Sequence, residues 1–156
     1  MADIDIPFNY DPADNLETAT SYTVPANKFA IISVTLNTDA YGVFFGDTDA
    51  TGTDSMGSAT SDSNSASIEL RLKAGSVLTK TETNLNISVN NAINGSYLST
   101  NGRSLAAVLV DGVEVSRVTS RASASMRVIG TAVSRTVLCS GTAEVRWSVA
   151  EYNSIT

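Results

Sequence analysis

The chain has 156 residues, a formal net charge of −6 and a single cysteine, Cys139, so it has one domain's length, room for a core, and no internal disulfide. Ser and Thr make up roughly a quarter of it, Val, Ile and Asn are plentiful, and Glu, Lys and Leu are scarce, a composition that favours strands over helices. It has no histidine, which excludes Ser-His and Cys-His nucleophiles and metal sites built on His and Cys.

Residues 1–16 carry Pro7, Pro12 and several acids, with Ile4, Ile6, Phe8 and Tyr10 at every second position. They read as an extended N-terminal arm with one apolar edge, preceding a single domain over 17–156. The start has no basic n-region and no apolar h-region, and no window holds the roughly 18 apolar residues of a membrane span. The expectation is a chain made soluble, with no membrane association.

Strands are expected at 18–24 and 29–37, paired as a tight hairpin through the turn of "TVPANKF", where Pro25 presets φ and Asn27 tolerates a left-handed conformation. A short strand follows at 41–45. Residues 47–67, "DTDATGTDSMGSATSDSNSAS", lack apolar spacing and read as a long wet connection. Within it Asp47, Asp49, Thr51 and Gly52 match the early positions of a calcium loop, and Asp54 adds a further carboxylate. The twelfth position is Ser58 rather than a bidentate Glu, so calcium is a weak candidate and no cofactor is expected.

Clean period-two alternation marks 66–73 (Ile68, Leu70, Leu72), 84–90 (Leu85, Ile87, Val89) and 144–151 (Val145, Trp147, Val149). Between them, 76–80, 105–110, 113–128 and 131–138 also read as strands. "LVDGVEV" places Asp111-Gly112 between apolar runs, a type I′ hairpin signal. Along 113–128 the apolar positions change from odd (Val113, Val115) to even (Val118, Ala122, Ala124, Met126, Val128). That phase change requires a bulge or bend near Ser116 or Arg117, or two strands. About ten strands with one wet face each give an antiparallel β-sandwich, jelly-roll-like.

Candidate chemistry is sparse. Cys139 reads as a small buried residue. Glu69, Glu82, Glu114, Glu144 and Glu151 could serve glycoside hydrolysis only if they met in space beside aromatics, and the chain has one Trp. Charge is split: residues 1–70 hold eleven acids against Lys28 alone, and residues 71–156 hold nine Lys or Arg against five acids. Arg117, Arg121, Arg127, Arg135 and Arg146 fall mostly on polar positions of neighbouring strands. They read as a solvated face or as a basic face docking on an acidic surface, with nucleic acid disfavoured by the acidic half and the missing stacking aromatics.

The segments "YTVPANKFAIISVTL", "IELRLKAGSVLT" and "AAVLVDGVEV" together resemble small β-sandwich structural proteins of tailed-bacteriophage virions, the capsid decoration (cement) proteins and head or tail fibre modules. In those families a "VPAGK"-like turn starts a strand, and here Asn27 takes the glycine place. The resemblance spans roughly residues 20–115 and carries no family binding residues over. It implies a jelly-roll-like sandwich, frequently a homotrimer, that binds the major capsid protein or another shell protein and does no chemistry. The chain is thus expected in the virion, as a decoration protein. The interface would be formed by Ile4, Ile6, Phe8, Tyr10, Arg117, Arg121 and Arg127. The alternative is a fibre module that binds host-surface carbohydrate, for which Trp147, Tyr41 and Tyr97 are the available aromatics.

Overall fold

Ile32, Val34 and Leu36 are fully buried while Ser33 and Asn37 are exposed, the burial of a strand with one face on a core and one in water. A computed structural model of the chain describes residues 9–10, 20–46, 56–91, 93–128 and 135–154. All regular structure in them is β: β1 (Asn9–Tyr10), β2 (Ser21–Thr23), β3 (Lys28–Gly46), β4 (Met56–Lys73), β5 (Val77–Thr83), β6 (Leu85–Asn91), β7 (Tyr97–Val110), β8 (Val113–Arg127), β9 (Arg135–Gly141) and β10 (Ala143–Asn153). Every pairing is antiparallel. The order is β1-β10-β3-β4-β8-β7-β5-β2, with β9 on the far half of β3 and β6 beyond β9. The sheet curls into a half-barrel, so the apolar faces of β3 and β10 meet those of β5, β7 and β8.

Three strands, β3, β4 and β7, run well beyond what their sequence pattern suggests. Instead of two strands at 29–37 and 41–45, β3 runs unbroken and changes partner, from β10 at Lys28–Thr38 to β9 at Tyr41–Gly46. Asp39 stands at the change. Its N–H donates to Thr142 O at 3.0 Å, and its carboxylate accepts the Thr142 N–H at 2.7 Å and hydroxyl at 3.2 Å. A Cβ on Gly141 would lie 2.1 Å from Asp39 O, so glycine is what lets β9 turn into β10 there.

The expected connection 47–67 is a correction: residues 56–67 are strand. Ser61–Lys73 pairs with β3, and Met56–Thr60 pairs with β8. The main chain is held on both sides of the fold while the side chains are small and polar, so apolar alternation is missing and periodicity cannot see the strand. The calcium candidates Asp47, Asp49 and Asp54 lie outside the described residues.

β8 is one strand, and its phase change has the expected cause. Leu109 pairs with Glu114 and Val108 with Ser116, leaving Val115 as the extra residue of a bulge. The hairpin before it has Asp111 at φ 50° and Gly112 at φ 80°, as a type I′ turn requires. Asn27 adopts φ 62°, but the strands on either side of this turn do not form the expected hairpin: β2 pairs with β5, while β3 pairs with β10 and β4. The chain is held there instead by Val24 N–H to Ser76 O (3.0 Å) and Gly75 N–H to Val24 O (2.9 Å), which tie the two turns of this end together. Of the expected arm, Asn9 and Tyr10 pair with Glu151 and Ala150 of β10. Ile4, Ile6 and Phe8 lie outside the described residues.

The core has two compartments. One packs Ile32, Val34, Leu36, Leu78, Val108, Val145 and Trp147; the other packs Leu85, Leu98, Met126, Val128, Val137 and Cys139. A buried polar layer separates them: the Thr38 and Ser120 hydroxyls are 2.7 Å apart, and Ser104 donates to Asp39 O at 2.7 Å. Each hydroxyl is satisfied, so the layer carries little desolvation cost.

Where neighbouring strands diverge, side chains replace main-chain ladders. On one flank, alternate residues of β4 reach β8: Thr60 Oγ1 accepts Ser123 N–H, and Asp62 lies 3.5 Å from Arg121 N. Asn64 donates to Thr119 O at 2.8 Å. On the other, alternate residues from β5 onward reach the edge of β10. Asn84 accepts Ala143 N–H at 3.0 Å, Glu82 accepts Val145 N–H at 2.8 Å, and Lys80 donates to Val145 O at 3.1 Å. These two latches satisfy main-chain groups that would otherwise be open strand edges.

Candidate functional site

The outer face of β7, β8 and the start of β4 gathers the residues with binding chemistry. Along 97–104 of β7 and 117–127 of β8, odd positions point outward and even ones inward, since Leu98, Ser104, Val118, Ala122, Ala124 and Met126 are buried. Register then places Tyr97 opposite Arg127, Ser99 opposite Ser125, Asn101 opposite Ser123 and Arg103 opposite Arg121. Ser58 and Thr60 of β4 continue the rows, their hydroxyls 3.1 Å and 3.0 Å from those of Ser125 and Ser123. A shallow depression of about 420 Å³ lies on this face, lined by Thr60, Asn101, Arg103, Arg121 and Ser123.

The charges on this face are unequal in standing. Arg117 is neutralised by Glu114, with Nε to Oε1 at 2.8 Å. Arg103 and Arg121 are both exposed and directly opposed, and among the described residues neither side chain has an ion-pair partner. Asp62 approaches only the Arg121 amide and is also engaged by Asn64 and by Ser63 N–H. Like charges directly across a strand pair are destabilising. Tyr97 is 65% exposed at the other end, about 20 Å along the strand at ~3.4 Å per residue.

The expected interface arginines Arg117, Arg121 and Arg127 do share this face, because bulge and hairpin put all three on the odd parity of β8. Arg103 was missed: "YLSTNGRSL" shows no apolar alternation, its inward positions being Thr100, Gly102 and Ser104 as well as Leu98. A Cβ on Gly102 would lie 2.4 Å from Leu85 Cδ1, so the inward side of this stretch has no room for larger residues. The signal that remained was Arg103 facing the known strand at 113–128. Arg135, expected on the polar parity, is instead fully buried, and Arg146 pairs with Glu144 on its own strand.

The other candidates do not assemble. Glu69 pairs with Arg71, Glu114 with Arg117 and Glu144 with Arg146, while Glu82 serves Lys80 and Val145. Among the described residues there is no group of three or more His, Cys, Asp or Glu able to hold a metal. Cys139 is fully buried, its thiol 3.6 Å from Thr100 O, and burial raises its pKa. Trp147 is 2% exposed and supplies no surface platform, whereas Tyr41 is 46% exposed on β3. No helix is long and apolar enough to cross a membrane among the described residues. Comparison with protein-family profiles, with curated proteins and with solved structures gives no match.

Proposed function

We propose that the chain is a non-enzymatic structural protein of a virion, a decoration protein that attaches to the outer capsid shell as a jelly-roll-like sandwich with an N-terminal arm. The observation that carries this reading is the seating of Asn9–Tyr10 as an added edge strand on β10, far from it in sequence. Main-chain pairing of an edge strand keeps the same hydrogen bonds when the strand is supplied by a neighbouring copy. In this reading exchanged arms link a homotrimer, each copy bridging shell subunits through many weak contacts, with Arg121 and Arg127, and Arg117 beside its partner Glu114, turned to acidic patches of the major capsid protein. The test is deletion of residues 1–16, followed by light-scattering mass and by attachment to undecorated shells. Loss of the trimer and of attachment is expected; an unchanged mass together with unchanged attachment would overturn the reading.

A second reading, a fibre module that binds carbohydrate, is favoured by one specific observation. Tyr97 stands 65% exposed across from Arg127 on a face otherwise made of hydroxyl, amide and guanidinium groups. An aromatic ring bordered by side-chain donors is the pairing that sugar rings require.

A further inference from the structure

We infer that the outer face of β7 and β8 binds an acidic saccharide, its carboxylates held by Arg103 and Arg121 at one end and by Arg127 at the other, with Tyr97 under a sugar ring. The inference rests on the second reading above and adds the charge of the ligand. It starts from a cost: two arginines are held opposite one another with no ion-pair partner among the described residues, although side chains of either sign fit an exposed strand position. A bound carboxylate between them replaces that repulsion with two charge-assisted guanidinium–carboxylate contacts, a stronger class of hydrogen bond than neutral ones.

The occupant is chosen by what lies between the arginines. Thr60, Asn101 and Ser123 line the depression beside them, and Ser99 and Ser125 lead from it to Tyr97 and Arg127. These groups both donate and accept, which matches a ligand bearing many hydroxyls. Residues 123–127 of β8 are paired on both sides, by β4 and by β7, so the middle of this face offers no main-chain edge on which an acidic peptide could add as a strand. A single tyrosine gives a nucleic-acid strand no series of stacking platforms, and the chain as a whole is acidic.

The test titrates the full chain with tetragalacturonate, and in parallel with neutral maltotetraose, hexaglutamate and an oligothymidylate, at low and at physiological ionic strength. Tetragalacturonate is expected to bind at least about tenfold more tightly than each of the others. Amide shifts are expected at 97–103 and 121–127, with affinity falling as salt rises. R103Q/R121Q should weaken it at least about tenfold and Y97A severalfold, while R71Q, on another part of the sheet, should leave it unchanged. Because R103Q/R121Q relieves a like-charge pair, its melting temperature should equal or exceed that of the parent, so lost binding is not lost folding. Equal binding of maltotetraose would overturn the acidic specificity and leave the carbohydrate reading standing. Failure of both saccharides would overturn the two together. Preference for hexaglutamate or oligothymidylate, or undiminished binding by R103Q/R121Q, would also overturn the inference.

Discussion

Replacing Glu82 by alanine should open the latch between β5 and β10. Glu82 Oε2 accepts the Val145 N–H at 2.8 Å, and Oε1 lies 3.6 Å from Lys80 Nζ. Val145 is fully buried, so its amide would lose a partner where water does not replace it, which costs about 1–3 kcal/mol. The Lys80 side chain is 5% exposed and keeps Val145 O and the face of Trp147, 5.4 Å away, but loses its carboxylate. Since Glu82 is itself 33% exposed, water screens that pair, and its share is about 1 kcal/mol rather than the larger cost of breaking a fully buried pair. The whole effect is about 2–4 kcal/mol, or a fall of about 5–15 °C in melting temperature for a chain of this size. Glu82→Gln keeps an acceptor for Val145 and loses only charge, so it should cost about 1 kcal/mol. Adding Lys80→Met to Glu82→Ala should recover part of the loss, because the cation left without its carboxylate is removed. Calorimetry and urea unfolding read the series. A Glu82→Ala protein within about 0.5 kcal/mol of the parent, or a Gln variant as damaged as the Ala one, would refute the latch.

Gly42→Ala should destabilise by about 3 kcal/mol or more, because the new Cβ would lie 2.1 Å from the backbone oxygen of Ser123 and no side chain can move aside; equilibrium denaturation measures it. Asp111→Ala should cost about 1–2 kcal/mol through the left-handed turn position and the lost Val77 N–H bond at 2.9 Å, and Asp111→Asn much less; thermal melts of the two variants make the comparison. Cys139 should resist alkylation in the native state and react on unfolding, since its thiol is buried. Its raised pKa also has a sign for stability. Above the ordinary thiol value of 9.0, the unfolded chain releases the proton while the folded chain retains it, so stability falls as pH rises, by up to about 1.4 kcal/mol per pH unit. Cys139→Ala should remove that part of the alkaline slope in urea titrations at stepped pH.

The sequence shows its fold wherever a strand has apolar residues on one face only. Ile68-Leu70-Leu72, Leu85-Ile87-Val89 and Val145-Trp147-Val149 mark three strands, Asp111-Gly112 marks the hairpin, and the parity change in 113–128 marks the bulge to within a residue or two of Val115. The pattern fails at 38–40, 56–67 and 97–104, where the strands lack a continuous apolar inward face. At 38–40 and 97–104 the inward positions include Thr38 and Ser104 of the polar layer and Gly102, which leaves room for Leu85, while from Gly57 to Ser65 both faces of the strand are exposed and carry small or polar residues. Alternation of oil and water vanishes although pairing continues. The candidate site inherits both halves of this lesson. Arg117, Arg121 and Arg127 share a visible strand, whereas Arg103 sits on the hidden part of β7 and becomes a partner of Arg121 only through register.

The latches also bear on behaviour at high concentration. A bare ribbon of amides and carbonyls is a template on which another molecule's extended segment can grow, layer after layer, into an insoluble filament. Along 143–145 of β10 and 119–123 of β8, carboxylate, ammonium, hydroxyl and amide groups from the same chain already occupy those positions, so an incoming segment must first displace a local, pre-positioned rival. Crowding many identical copies side by side is therefore tolerated along those margins, and runaway stacking would have to begin elsewhere.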